Sequence, residues 1–376
     1  MFRLPAQHID LTVGMDSIGD PSGVLSARSG CLSSRAHPVA VTIAPMSTSG
    51  ARIRVAAVQL DAVLADVEHN LAACERLVGE AAAEGAEWIV LPEFFTTAIA
   101  FDDRLAAAAL PPDGAATRLL LELAARHGAV VGGSFLCRDP DGHVRNAWIT
   151  ATPAGLAGRH DKDMPTMWEN SFYVGGDPAD IGIHEVSGLD VGVAMCWELM
   201  RTGTARRLRG KVDVVLAGSG WWSVPAWRPR PLFARLERAN EQRAQRAAQT
   251  FGRYVGAPVI HAAHCGEVSC RMPEPPHLPY SGHLEGGASI VDAEGNRVAL
   301  RRGDEGEGIV VADVALGRAA PLSEIPDRFW LHRRGAMGAY SWHAQRGLGR
   351  RYYRRNVQSH PQGPLPDHAR VRGGLR

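Results

Sequence analysis

Residues 53–60 read Ile-Arg-Val-Ala-Ala-Val-Gln-Leu, residues 67–83 read Val-Glu-His-Asn-Leu-Ala-Ala-Cys-Glu-Arg-Leu-Val-Gly-Glu-Ala-Ala-Ala, and residues 87–94 read Glu-Trp-Ile-Val-Leu-Pro-Glu-Phe. The first run is short, apolar and rich in β-branched residues, as a strand buried on both faces should be. The second carries Leu71, Cys74, Leu77 and Val78 on one helical face, and Asp66 and Asn70 lead into it. Such polar residues satisfy the free N–H groups at a helix start. The third run, Glu87–Leu91, is again a buried strand. Strand, helix and strand in this order point to a layered α/β fold.

The alternation continues outward from this stretch. A helix is expected at Thr117–Arg126, strands at Ala129–Leu136 and Val144–Ala151, and a strand–helix–strand series at Leu189–Met195, Thr204–Arg209 and Val212–Ala217. A long charged helix follows at about Arg230–Gln249, then a strand at Pro258–Ala262. Ala288–Asp292 and Val298–Arg301 flank Ala-Glu-Gly-Asn, a hairpin signal, and Ile309–Val314 ends the series. The hairpin requires some antiparallel pairing, so an all-parallel doubly wound sheet fits poorly. The series defines one domain at about 51–320.

The flanks differ from it. Residues 1–50 are rich in Ser, Gly and Pro, and Met46 stands just before the first strong strand. We expect Met46 to be the natural start and the leader to be disordered or the product of a wrongly assigned start. An N-terminal mass from the native gene product tests this, and a mature chain retaining Phe2 refutes it. Residues 321–376 form an extension rich in arginine toward its end, where Asp367 is the single acid from Arg333 onward. Such a run is more often a solvated or oligomer-contacting segment than a phosphate grip.

The chain has 376 residues, 45% hydrophobic and 22% charged, with a formal net charge of +1. That balance suits a soluble globular protein and supplies no global field for nucleic acid or an anionic membrane. No apolar run approaches a membrane span, and no compact secretory signal opens the chain. Six cysteines scattered along it do not make a disulfide scaffold, so a cytoplasmic setting is expected.

Three polar residues follow apolar strands, where α/β sheets place ligand sites. Glu93 follows Trp88–Pro92, Cys196 follows Val191–Met195, and Lys162 lies in Gly-Arg-His-Asp-Lys-Asp at 158–163. Singly each has a plain explanation: a capping acid, an inert buried thiol, a solvated lysine. Together Leu-Pro-Glu-Phe at 91–94, His-Asp-Lys at 160–162 and Ala-Met-Cys-Trp-Glu at 194–198 resemble, in order and at suitable intervals, the glutamate, lysine and cysteine signatures of the nitrilase superfamily. The likeness runs from Arg54 to about Val314 and includes Gly-Ala-Ser-Ile-Val-Asp at 287–292.

The resemblance implies a four-layer αββα sandwich of two mixed sheets between helices, usually assembled as a homodimer or larger homo-oligomer. It implies hydrolysis of a non-peptide carbon–nitrogen bond in a small amide or nitrile, with no cofactor and no metal. Glu93, Lys162 and Cys196 are then the catalytic triad, and Glu169 matches a second glutamate that positions substrate and supports the base. The chemistry agrees. A nitrile or amide carbon is a poor electrophile, so it needs a strong nucleophile, a proton carrier and a cation for the developing negative charge. Cys196, Glu93 and Lys162 supply these in turn, and the Lys162 charge is expected to favour the thiolate. Glu198 is expected to hold the turn after the cysteine. Trp168, Trp197, Trp221 and Trp222 are candidates for an apolar or aromatic substrate pocket.

Cys-Trp-Glu at 196–198 is closest to the tripeptide of nitrilases, but Leu-Met-Arg-Thr at 199–202 departs from the usual sequel. Amidases are the larger group, so an amide is the first expectation and a nitrile the second. Two readings of other classes stand beside these. His261, His264, Cys265 and Cys270 are ligand types for zinc, though not at finger spacing. A relative that kept the fold as a binding scaffold is the other.

Overall fold

The computed structural model describes residues 52–272, 277–333 and 336–358. Segment 1–51, with Met46 and Cys31, and the chain beyond 358 lie outside the described residues. The first half contains β1 (Arg52–Leu60), α1 (Val67–Ala83), β2 (Trp88–Val90), α2 (Arg104–Ala107), α3 (Ala115–His127), β3 (Val130–Arg138), β4 (Val144–Thr152) and β5 (Gly155–Asp161). The second contains β6 (Ile183–Val186), β7 (Leu189–Met195), α4 (Thr202–Leu208), β8 (Val214–Ser219), α5 (Arg230–Val255) and β9 (Val259–His264). Then come β10 (Glu267–Arg271), β11 (Pro279–His283), β12 (Gly286–Val291), β13 (Arg297–Arg302), β14 (Gly308–Ala315) and α6 (Ala336–Asn356).

The expected elements are present with small shifts at their ends. Asp66 caps α1 by accepting the His69 N–H at 3.1 Å, and Cys74, Leu77 and Val78 lie on its buried face. α5 runs to Val255, past the expected Gln249, because Ala247, Ala248, Phe251 and Val255 continue its apolar face. Gly256 stops it with φ +77°, where a Cβ would meet Ala319 O at 2.3 Å. The strand β6, the β10–β11 hairpin and the short helix α2 had no counterpart in the sequence reading. All are brief, half-exposed or polar in part, so hydrophobic periodicity marks them weakly.

Hydrogen bonds order the strands β5-β4-β3-β2-β1-β9-β8-β7-β6, with β14 on β1 and β12–β13 on β9. The β1–β2 and β2–β3 pairs are parallel, and β3–β4, β4–β5 and β1–β14 are antiparallel. On the other side β7–β8 and β8–β9 are parallel, while β6–β7, β9–β12 and β12–β13 are antiparallel. The two mixed sheets meet where β1 and β9 pair over Gln59–Ala263 and Leu60–His264.

Three apolar clusters show how the layers stack. Val55, Ala57 and Val90 of one sheet pack on Val191, Val193, Leu216 and Ile260 of the other, forming the middle of the sandwich. Ala56, Val58 and Ile89 turn outward onto α1 and α3. Ala194, Val215 and Val259 turn outward onto α4 and α5. Alternate residues of one strand therefore serve two different layers. The result is the four-layer αββα sandwich, and its central strands are buried on both faces. That double burial explains the near-continuous apolar runs of β1, β7 and β8.

Candidate active site

β7 carries Val191, Val193 and Met195 into the middle layer and then breaks at Cys196. Cys196 has φ +49°, in the left-handed region that residues with a side chain seldom occupy. A short 3₁₀ turn, Cys196–Met200, follows. Glu198 holds this turn from below. Its Oε2 accepts the Met195 N–H at 2.9 Å, and its Oε1 accepts the Asp163 N–H at 2.8 Å. One carboxylate thus ties the cysteine turn to the residue after Lys162.

Glu93 and Lys162 reach the same place from strand ends in the other sheet, after β2 and β5. Both are fully buried, and Cys196 is 2% exposed. Lys162 Nζ donates to Glu93 Oε1 at 2.7 Å and to Glu169 Oε2 at 2.9 Å. Asn146 Nδ2 donates to Glu93 Oε1 at 2.8 Å, and the Gly220 N–H reaches Glu93 Oε2 at 3.3 Å. Glu169 Oε2 also accepts the Thr166 N–H at 2.9 Å and the Tyr173 hydroxyl. Gly218 lets β8 run close to this point, since a Cβ there would lie 2.5 Å from Glu93 N.

Burial sets the electrostatics. It pushes Glu93 up to about 7, against the pull of the Lys162 charge, while Glu169 adds to the rise. Burial also penalises the Lys162 ammonium, but the Glu169 and Glu93 carboxylates outweigh it and hold its pKa well above the ordinary value. The Cys196 thiol is pushed well up by burial and then by Glu93, and Lys162 only partly opposes this. The Lys162 charge does favour the thiolate, as expected, but burial and Glu93 outweigh it and favour the thiol.

The four tryptophans fall into two aromatic groups. Trp168 lies 4.7 Å from Trp222 between ring centroids, and Trp222 lies 4.5 Å from Tyr280. Trp197 lies 6.4 Å from Trp221 and stacks on Trp342 at 5.8 Å with an interplanar angle of 17°. α6 reaches both groups, because Tyr352 packs on Phe101 and Phe172 beside Trp168. The arginine-rich extension thus sends one helix back over the segments carrying Trp168 and Trp197.

Asn146, Tyr173 and Asp180, close to these groups, were not singled out from the sequence, while His160 was noted only within the lysine signature and His264 only as a zinc ligand type. Asn146 had a usable signal, as a polar residue at an inward position of an apolar strand. The role of His264 against Glu93 O had no signal, since that partner lies 171 positions away in the chain. The zinc alternative separates for a simple reason. His261 and His264 are three apart on β9, so they point to opposite faces. His261 Nε2 meets Ser219 Oγ at 2.9 Å, and His264 Nε2 donates to Glu93 O at 2.6 Å. His160, Asp163 and Glu198 do place ligand-type atoms within 4.8 Å of one another. Arg207 Nη1 takes both Asp163 oxygens at 2.7 Å, however, so this group is an ion-pair network.

The sequence profile of the carbon–nitrogen hydrolases matches residues 54–324. The chain belongs to that family. It is 28% identical to a nitrilase from Pyrococcus abyssi over 215 residues, covering 55% of this chain and 80% of that protein. It is 26% identical to an aliphatic nitrilase from Rhodococcus rhodochrous, over 73% of this chain and 78% of the relative. A carbon–nitrogen hydrolase superfamily protein from Xanthomonas campestris shares the fold with a TM-score of 0.54 at 20% identity, covering 70% of this chain and 90% of that one. A mutant of the amidase from Nesterenkonia sp. AN1, with acrylamide added at its active-site cysteine, does so with a TM-score of 0.53 at 17% identity, over 69% and 92%. The protein is accordingly an enzyme of the nitrilase superfamily. Its five described cysteines are free, and no helix of the described residues is long and apolar enough to cross a membrane.

Proposed function

We propose that the enzyme hydrolyses a small carbon–nitrogen compound through a covalent adduct on Cys196, with Glu93 as proton carrier and Lys162 as the cation beside the reacting carbon. The observation that carries this reading is the buried set in which Lys162 Nζ binds Glu93 and Glu169 together, while Cys196 stands on a strained turn against Glu93. Glu93, poised near neutrality, takes the thiol proton as sulfur attacks. The negative charge that develops on the substrate nitrogen or oxygen is stabilised by the Lys162 ammonium and by the backbone N–H after Cys196. From an amide, the tetrahedral adduct expels ammonia, which takes the proton from Glu93, and leaves a thioester. From a nitrile, the same proton goes to nitrogen to give a thioimidate, and one water converts it to the thioester with loss of ammonia. A further water, deprotonated by Glu93, then releases the acid and restores the thiol. Glu169 holds Lys162 from its far side and positions the substrate.

Both substrate classes fit this machinery. The Cys-Trp-Glu tripeptide and the likeness to nitrilases weigh toward a nitrile, and a small primary amide is the second reading. Trp168 and Trp222 on one side, with Trp197 and Trp221 on the other, supply the apolar walls in either case. The test is intact mass spectrometry of wild type and Cys196→Ala after exposure to a panel of amides and nitriles, read with ammonia release. Wild type alone should trap an acyl adduct and release ammonia, and the panel then reports the preferred class. Equal release by both proteins would remove Cys196 from the mechanism.

A further inference from the structure

One buried charged group has no part in these steps. His160 lies on β5 two residues before Lys162, and none of its side chain is exposed. Its ring is held from both ends. Nδ1 is 2.7 Å from Asp180 Oδ2, and Nε2 is 3.6 Å from Glu198 Oε2. Nε2 has no closer hydrogen-bonding partner among the described residues. A neutral ring in this place would leave a buried polar atom unmatched, whereas an imidazolium turns the same approach into an ion pair. Gly182 packs directly over the ring, where a Cβ would lie 2.9 Å from Nδ1, so the ring has little room to turn away.

Glu198 is what makes this consequential. Its two oxygens are divided between the Met195 N–H, one residue before the thiol, and the Asp163 N–H, one residue after the ammonium. The distance between nucleophile and cation is therefore set through a single buried carboxylate. That carboxylate must stay ionised, in a fixed pose, away from water.

We propose that His160, carried by Asp180, is a positioning residue whose positive charge locks Glu198 between the cysteine turn and the lysine segment, and so fixes the spacing of Cys196 and Lys162. This rests on the thiol reading given above. The surroundings favour the charged ring. Asp180 and Glu198 touch it, Asp163 adds negative charge, and Arg201 and Arg207 on the far side act on Glu198. His184 of β6 is the other titratable ring nearby, and it is neutral at working pH, its pKa pulled to about 4 by burial and then by His160. From β5 itself, Asp161 is occupied by Arg159, and Lys162 just beyond the strand points to Glu93 and Glu169.

Burial alone would lower the His160 pKa, but the hydrogen bonds and charges of Asp180 and Glu198 raise it to about 9. Lys162, Cys196 and Tyr173 are all held well above their ordinary values, so His160 is the group that should lose its proton first as the site is made alkaline. The lock is intact below about 9 and is lost as pH rises through that value.

The experiment is ammonia release by wild type, Asp180→Asn, His160→Gln and Cys196→Ala, from propionamide or benzonitrile, whichever wild type turns over faster, between about pH 6 and pH 10.5. Thermal unfolding is followed in parallel. Wild-type kcat should fall above about pH 9. The amide introduced by Asp180→Asn would present an N–H to Nδ1 and favour the neutral ring. Its alkaline limb should therefore move about one pH unit lower, with KM changed less than about twofold. His160→Gln should lose the alkaline limb and at least about tenfold in kcat while KM stays within about twofold. If His160→Gln does not fold, the Asp180→Asn limb decides alone. A limb that coincides with wild type in Asp180→Asn overturns the lock while leaving the thiol mechanism standing. Equal turnover by wild type and Cys196→Ala overturns both.

Discussion

The strand β5 has two faces, and they treat the same kinds of charge in opposite ways. Arg159 and Asp161 point to one side, where Arg159 makes paired bonds to Asp139 and Asp161, and Arg145 joins Asp139 to Asp141. These residues line a surface cleft of about 740 Å³. His160 and Lys162 point to the other side and are wholly buried. On the wet side, Asp141 is held down at about 2 by Arg145, an ordinary ion pair. On the dry side, burial lifts Glu93 to about 7 beside a charged lysine. Water makes the difference. In solvent a salt bridge stabilises little, whereas in a dry interior the same pair controls where protons sit at neutral pH.

The comparison breaks most easily at the thiol. Cys196→Ala should lower ammonia release by about 10⁴-fold or more while the far-UV circular dichroism is retained. Residual turnover near wild type would mean that the dry side does no nucleophilic chemistry.

Lys162→Met should cost about 10²–10³-fold in kcat, the usual loss for one donor to a developing anion. It also leaves Glu93 and Glu169 without their shared cation, so about 3–5 kcal/mol of stability should go with it. A variant that keeps its denaturation midpoint would show that the buried pair is not coupled as the distances indicate.

The pH dependence sharpens the contrast. If Glu93 is the base proposed above, it works in its ionised form, so kcat should drop about tenfold per pH unit below about 7 and stay level from there to about 9. An acid limb near the ordinary carboxylate value would show that burial does not raise this group. The smallest effect belongs to the wet face. Arg159→Gln should cost about 1 kcal/mol or less in chemical denaturation and leave kcat within about twofold. A roughly tenfold fall in kcat would mean that the outer face of β5 also sets the position of Lys162.

Much of this arrangement was legible in the chain. β1, β7 and β8 are apolar runs because both faces of their sheets are covered, and α1 shows its face and cap at the level of single residues. Glu93, Lys162 and Cys196 are recognisable because each ends a strand. The four tryptophans were legible as aromatic, but their division into two groups was not, because Trp342 of α6 and Tyr280 of β11 come from far along the chain. β6 and the β10–β11 hairpin stayed hidden, since alternation with polar residues in short strands gives little signal.

The sequence by itself determined the layer order, the family and the candidate reacting groups, because local periodicity and three ordered signatures are properties of neighbouring residues. Only the tertiary structure decided the protonation states. Whether Cys196 rests as thiol or thiolate depends on burial and on Glu93, 103 positions upstream in the chain, outweighing Lys162. That Glu198 ties the cysteine turn to the lysine segment, and that His160 stands against it, follows from the way the two sheets bring their strand ends together. Coulomb energy and desolvation depend on distance and on the surrounding medium, and no stretch of chain carries either until it is folded.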